Sequence, residues 1–332
     1  MKKIVCFMLI VILVIGFLSV VGSTQEPKVF KCIAYPGVGV VQEARRLFKE
    51  MVMERSKGML IPELYVDGQI GTNAEDYATS VSEGTFQLYW GPDMMASWVA
   101  PEWQAYTNVP FCFRDNDHCQ AFWSSEIGDL IQERVLEKYG VLIIMENLSF
   151  LPPRQLTANK PVYKTEDLKG LKLRTPNMPG VIAGWTALGA SVTPIQWGEL
   201  FGALQSGIVD AQENPLSLIR SSGLYQVQKY IMLTSHQIQA EMPHINYKWW
   251  QALNEEEQNI ILDVVKETNQ WLTAELVKEE KGIVQEFMGY GIKFVESSEI
   301  DIQGFKDKIA PVIKEKFDKE WAPGGWEKIQ SL

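Results

Sequence analysis

This sequence predicts an α/β chain organised as two lobes, and three observations predict it. Short β-branched strands alternate with amphipathic helices along the first part of the chain, the pattern of a mostly parallel sheet with helices on both faces. The 332 residues exceed what one hydrophobic core of about 250–300 residues organises. Glu255 to Phe287 is a single charged helix of some thirty residues, about 45–50 Å long and able to run along both lobes.

Each element has its own warrant. Val29 to Ala34 is short, β-branched and apolar, a first strand. Tyr35-Pro36-Gly37 turns the chain into a helix over 40–57, where Ala44, Leu47, Phe48, Met51 and Val52 recur at helical spacing and Gly58 marks the stop. Leu60 to Val66 is a second strand, Glu75 to Glu83 a helix ended by Gly84, and Phe86 to Trp90 a third strand. In such sheets ligands sit at the carboxyl ends of strands, where Tyr35, Asn73 and the Trp90-Gly91-Pro92-Asp93 turn fall.

Val141 to Glu146 is a further strand, and a second α/β set opens near Pro152. It holds a strand over Leu171 to Arg174, a helix over Val181 to Leu188, and a helix over Glu199 to Ser206 closed by Gly207. His236 to Tyr247 returns as extended chain to the first lobe. The chain therefore crosses between lobes more than once. The expected organisation is a leader over 1–23, lobe I from 24–151 with 241–277, and lobe II from 152–240 with 278–332.

The leader is expected to be a cleaved export signal. Lys2 and Lys3 precede an apolar run from Ile4 to Val21, and Val21-Gly22-Ser23 offers small residues for cleavage. The run is about long enough to span a bilayer, but Thr24-Gln25-Glu26-Pro27 supplies no basic stop. A periplasmic address follows. Losing Lys2 and Lys3 takes the net charge from -10 to -12, which disfavours nucleic acid and anionic lipid as partners. Three cysteines remain, Cys32, Cys112 and Cys119. One bridge between Cys112 and Cys119 and three buried thiols are both open readings.

His118, His236 and His244 are too scattered for a metal set, and Gly37-Val38-Gly39 lacks the third glycine of a dinucleotide loop. No nucleophile stands arranged with a base. No cofactor, no metal and no enzyme activity are expected.

The chemistry concentrates between Arg174 and Asn214. Arg174 closes the run LKGLKLR, and ALQSGIVDAQENP crowds Asp210, Gln212, Glu213 and Asn214 beside Pro215. A guanidinium and a side-chain amide together hold a carboxylate by parallel charge-assisted hydrogen bonds plus one from the side. The bland alternative is a surface arginine beside Glu166 and Asp167, with Asn214 capping a turn.

A resemblance weighs for the clamp. TEDLKGLKLRTP, LGASVTPIQWGELFGALQSGIVDAQENPL and LYQVQKYIMLTSH, running from Thr165 through His236, resemble the solute-binding subunits of tripartite ATP-independent periplasmic (TRAP) transporters, the DctP family. Asp67-Gly68-Gln69-Ile70-Gly71, Gly84 and Val109-Pro110-Phe111-Cys112-Phe113-Arg114 agree with it in order. The resemblance implies a two-lobed periplasmic-binding-protein fold, a carboxylate-binding Arg174, a second ligand-directed arginine at Arg154, and Asn214 in the cleft. Ala211 stands where relatives carry glycine, and Leu151-Pro152-Pro153 where they carry glycine and an aromatic. Trp197 occupies a position where relatives place phenylalanine against the solute, with Trp90 a candidate opposite wall and Tyr35 and Asn73 candidate polar contacts.

The expected function is capture of a carboxylate-bearing organic acid with an apolar or planar body, and its delivery to membrane permease subunits. The expected state is a monomer. A sensor of the same fold feeding a signalling receptor, and a plain C4-dicarboxylate binder, are the alternatives.

Overall fold

The computed structural model describes residues 26–34, 39–65, 74–92, 108–321 and 323–332. The leader expected over 1–23, and Tyr35, Asn73 and Asp93, lie outside the described residues. Strand β1 (Lys28–Ala34) sits between β2 (Leu60–Tyr65) and β3 (Leu88–Pro92), parallel to both. Helix α1 (Val40–Arg55) joins β1 to β2 and buries Ala44, Phe48 and Val52 at helical spacing. The chain leaves it through Gly58 at φ 80°, left-handed backbone that glycine adopts without steric cost.

A second group of strands builds the other half of the sheet. These are β5 (Ser149–Ala158), β6 (Lys172–Thr175), β7 (Ser191–Pro194) and β8 (Ala211–Asn214). β6 runs parallel to both β7 and β8. The 17-residue strand β9 (Tyr230–Asn246) ties the halves together. It pairs antiparallel with β3 at one end and with β5 along its length, giving the order β2-β1-β3-β9-β5-β8-β6-β7. β4 (Val141–Ile143) and β10 (Lys293–Val295) add to β9 at its two ends.

Two strands depart from the sequence reading. β5 does not open the second half at Pro152 but runs from Ser149 through both prolines. Its pairing with β9 slips between Leu151 and Arg154 and again between Arg154 and Leu156. Prolines donate no backbone hydrogen bond, so a strand carries them at such irregularities. β9 starts at Tyr230 rather than His236. Ser235, at φ 42°, breaks the regular strand there. Its N–H donates to Gln155 Oε1 at 2.9 Å.

Apolar clusters show how the long helix (Glu255–Gly289) binds both halves. Ile261, Val264 and Val265 pack with Phe30, Phe48, Leu88 and Trp90. Leu272 and Leu276 pack with Ala44 beside Leu151. Ile283 and Phe287 pack with Leu200, Leu204, Leu216 and Ile219 of the second half. Asn254 caps the helix in a reciprocal box with Glu257. At about 1.5 Å per residue its 35 residues reach about 50 Å. Cys32, Cys112 and Cys119 are all buried free thiols. Among the described residues, no helix is long and apolar enough to cross a membrane.

Candidate functional site

Arg174 comes from the carboxyl-terminal half of β6, a strand fixed beside β8 by the pairing of Leu173 with Ala211. The side chain is only 4% exposed. Its Nε donates to the Ile195 carbonyl at 2.8 Å, which fixes the plane of the guanidinium. The guanidinium carbon lies 5.9 Å from the centre of the Trp197 ring. Trp197 opens a single 3-10 turn (Trp197–Glu199) after β7 and is half-buried. One edge of the sheet thus delivers a charged fork and a flat aromatic surface side by side.

Arg154 follows the two prolines of β5 and turns to Glu213 on β8. Its Nε donates to the Glu213 carboxylate, and its Nη2 reaches Glu213 Oε1 at 2.9 Å and the Glu213 carbonyl at 2.6 Å. Nη2 also meets Asn214 Oδ1 at 2.8 Å, and Nη1 meets Gln239 Oε1 at 3.1 Å. Most of its five N–H donors therefore serve protein acceptors. With the Asn214 oxygen turned to Arg154, the amide nitrogen faces the other way and donates to Gln212 Oε1 at 2.5 Å. The second amide hydrogen is left for another acceptor. In this geometry Arg154 orients Asn214.

His236 completes the network from β9. Its Nε2 lies 3.0 Å from Glu213 Oε2 and its Nδ1 2.8 Å from Thr234 Oγ1. The rings of Trp185 and Phe111 stand edge-on to it at 4.9 and 6.3 Å. Burial lowers the His236 pKa below the usual histidine value, against the opposing pull of Glu213. The ring is thus neutral near pH 7, its Nε2–H donating to the carboxylate and its Nδ1 accepting from the Thr234 hydroxyl. Burial alone would raise the Glu213 pKa. The Arg154 charge and the hydrogen bonds from His236 and Arg154 outweigh it and hold the carboxyl well below the ordinary range.

The expected residues do not all converge. Arg154 and Asn214 touch, and Arg174 and Trp197 form a second pair. Trp90 is a correction: it is 1% exposed and packs edge-on against Phe48 at 4.7 Å. The Arg45 guanidinium covers its ring at 4.4 Å. Protein surrounds it, so it belongs to the core rather than to an exposed wall. Tyr35 and Asn73 lie outside the described residues.

Three polar residues escaped the sequence reading. Arg45 is 2% exposed and donates through Nη2 to the Glu241 carboxylate, which is itself 5% exposed. Gln239 stands two residues before Glu241 on β9 and receives Arg154. A signal for them existed. Arg45 falls on the stripe of Val41, Phe48 and Val52, and Gln237, Gln239 and Glu241 alternate with Ile238, Ala240 and Met242. Among the described residues no group of three metal-ligating side chains occurs.

The chain is similar to known proteins over most of its length. Residues 36–320 match the family model described as bacterial extracellular solute-binding protein, family 7, DctP. The sialic acid-binding periplasmic protein SiaP of Vibrio cholerae is 28% identical over 300 residues, covering 90% of this chain and 91% of that one. A TRAP periplasmic solute-binding protein from Roseobacter denitrificans, solved with bound L-galactonate, superposes with a TM-score of 0.79 at 26% identity, covering 92% and 100% of the two chains. Another from Pseudomonas putida, solved with bound D-glucuronate, gives a TM-score of 0.79 at 25% identity, covering 92% and 97%. With residues 36–320 matched by that family model, the chain belongs to the DctP family of two-lobed TRAP transporter solute-binding proteins.

Proposed function

We propose that this protein captures a monocarboxylic organic acid in the periplasm and hands it to the membrane permease subunits of a TRAP transporter, without chemical turnover. Residues 1–23 act as its removed export signal, and it works as a monomer. The observation that carries the reading is the buried Arg174, oriented by the Ile195 carbonyl and flanked by Trp197. Arg174 takes the carboxylate through a planar fork. Asn214, held by Arg154, adds an amide donor, and Trp197 supports the body of the solute. The similar proteins named above bind sialic acid, L-galactonate and D-glucuronate, each a carboxylic acid.

Capture requires closure of lobe I (24–151 with 241–277) on lobe II (152–240 with 278–332). The slipped pairing around Pro152 and Pro153 supports a bend at that crossing. A thermal-shift screen against a library of organic acids tests the function. A ligand that binds only the folded protein adds RT ln(1+[L]/Kd), about 2.7 kcal/mol at a hundredfold excess over Kd. A concentration-dependent rise with carboxylic acids, and none with their amides, is the expected result. No rise with any carboxylic acid overturns the reading.

A further inference from the structure

The long helix (Glu255–Gly289) ends beside an aromatic ladder that steps out of the core. Phe287, fully buried, meets Tyr225 at 5.3 Å between ring centres. Tyr225, from the 3-10 turn Leu224–Gln226, stacks on Tyr290 at 5.0 Å with the ring planes only 15° apart. Tyr290 is 56% exposed. Its hydroxyl donates to Glu286 Oε1 at 3.1 Å, which fixes the direction of the ring, and Glu286 is itself paired with Arg220 at 3.7 Å.

After Tyr290 the chain turns at Gly291, φ 82°, where a side chain would meet nothing within 4 Å. It then enters β10, whose Lys293 lies opposite Tyr230 of β9. The Lys293 N–H donates to the Lys229 carbonyl at 3.0 Å, so two lysines rise from adjoining backbones. Lys293 Nζ stands 5.6 Å from the centre of the Tyr230 ring. Both lysines are exposed, and among the described residues neither is held by a carboxylate.

The three tyrosines and two lysines line one groove of about 470 Å³, within the range of about 300–1,000 Å³ typical of small-molecule sites. Among the described residues no carboxylate lines it, in a chain whose net charge is -10. Neighbouring ammonium groups without a counter-ion repel, and an anion between them relieves the repulsion.

This groove is not the clamp. Tyr230 pairs with Ala158 of β5, and Ala158 with Ala211 of β8. That is the end of the half-sheet opposite to Gln155 and Asn214. From Tyr230 to His236 an extended chain covers roughly 20 Å. The chemistry differs as well. Arg174 offers a planar fork that suits one carboxylate. Two ammonium groups are point charges that suit a compact dianion, the role in which lysine binds phosphate. Beside them, a tyrosine stack accepts a further flat ring.

We propose that this groove is a second ligand site, separate from the carboxylate clamp, for a small phosphate monoester of an aromatic compound. The phosphate lies between Lys229 and Lys293, and the ring lies on Tyr290.

Calorimetry on the full mature chain tests it, with adenosine monophosphate and phenyl phosphate as probes. Adenosine (ring without charge) and inorganic phosphate (charge without ring) serve as controls. At least one probe should bind tenfold or more tighter than both controls. Tyr290→Ala should weaken that probe about fivefold or more, the low end for loss of a stacking ring, while Tyr290→Phe keeps it. Replacing both lysines, Lys229→Gln with Lys293→Gln, should bring the probe down to the level of adenosine. Tyr290 and both lysines are exposed, so these variants keep the fold. Arg174→Lys should leave probe affinity unchanged, because the clamp lies elsewhere. Neither probe binding at millimolar concentration, a control binding as tightly as both probes, or an affinity that survives the Tyr290→Ala or the lysine replacements overturns the proposal. Loss of probe binding in Arg174→Lys overturns it too, by placing the probe in the clamp.

Discussion

Arg154 and Glu213 meet at three points: Nε and Nη2 on the carboxylate, and Nη2 again on the Glu213 backbone carbonyl at 2.6 Å. Both residues are buried, and the same guanidinium fixes the Asn214 amide. With Asn214 in the proposed ligand site, stability and ligand recognition would share one ion pair. Removing one partner strands the other charge in low dielectric, typically about 3–5 kcal/mol. Glu213→Ala should lower the urea unfolding free energy by that amount, and Glu213→Gln, which keeps an acceptor, by less. A loss below about 1 kcal/mol in the alanine variant would show that the pair is solvated and the coupling absent.

Arg174→Lys should weaken capture while leaving the fold in place. Lysine keeps the charge but loses the fork, and with it the Nε bond to the Ile195 carbonyl that sets the plane. Breaking a buried ion pair costs about 3–5 kcal/mol. The lower end, a few hundredfold in affinity, is expected because the charge persists. Calorimetry showing less than about a tenfold loss (1.4 kcal/mol) removes Arg174 from the centre of the site.

Much of this arrangement was legible in the sequence, and the parts that were not share a cause. The alternation of β1, α1 and β2 and the long helix came through because local periodicity fixes them. Arg174 and Asn214 stood out in the sequence because their neighbours carry a recognisable pattern, and their role in binding stays a proposal. Trp90 misled: a tryptophan at a strand end suggests a wall, and only tertiary packing reveals Phe48 and Arg45 against it. The helices over Asn116–Trp123 and Glu126–Tyr139 went unread beside the stronger signals that flank them. β9 was truncated at His236 because Thr234 and Ser235 look like a loop. Long-range pairing holds the chain in strand on either side of them, at Tyr230–Met232 and from Gln237 onward. Across the break, Gln155 Oε1 accepts from the Ser235 N–H and the Leu156 N–H donates to the Thr234 hydroxyl. Arg45 and Glu241 were invisible as a pair because 196 residues separate them.

Stability should fall as the pH drops from neutral, with two buried histidines driving the loss. Burial lowers the His244 pKa to about 4, and its Nε2 has no partner while Nδ1 meets the Met242 carbonyl at 3.1 Å. The unfolded histidine titrates near 6.5, so between pH 6.5 and 4 the unfolded state binds a proton that the folded state does not. Stability contributed above pH 6.5 is therefore lost on acidification, at about 1.4 kcal/mol per pH unit and about 3 kcal/mol in all. His236, also lowered by burial, adds in the same direction. Urea melts at pH 7 and pH 5 should differ by about 2 kcal/mol, and His244→Gln should flatten part of that slope. Equal stability at the two pH values would mean that His244 is protonated in the folded protein.

Ligand should close the molecule about the crossing strands. β5 slips its register on β9 at Leu151–Arg154, where two prolines thin the ladder, and β9 carries Gln239 and Glu241 through the same level. Two bodies joined by a few crossings and one shared helix move as rigid units. Small-angle scattering with a saturating tight ligand should show a smaller radius of gyration than the free protein. A superimposable profile would mean a site already formed.

Trp197 gives the sharpest test of solute shape. Its ring lies beside the Arg174 guanidinium at 5.9 Å and is half-buried, so a carboxylate on Arg174 brings its own carbon skeleton over the indole. Stacking of this kind contributes about 0.5–1.5 kcal/mol beyond area burial, roughly two- to tenfold in affinity. Trp197→Ala should lose that much for cyclic acids, whose ring faces cover the indole, and less for short linear ones. Arg154 is the one group that argues for a dicarboxylate, and the structure commits it to Glu213, Asn214 and Gln239. Succinate and malate should therefore bind weakly. Tight succinate binding that Trp197→Ala leaves unchanged would replace this picture with a plain dicarboxylate site in which Arg154 swings away from Glu213.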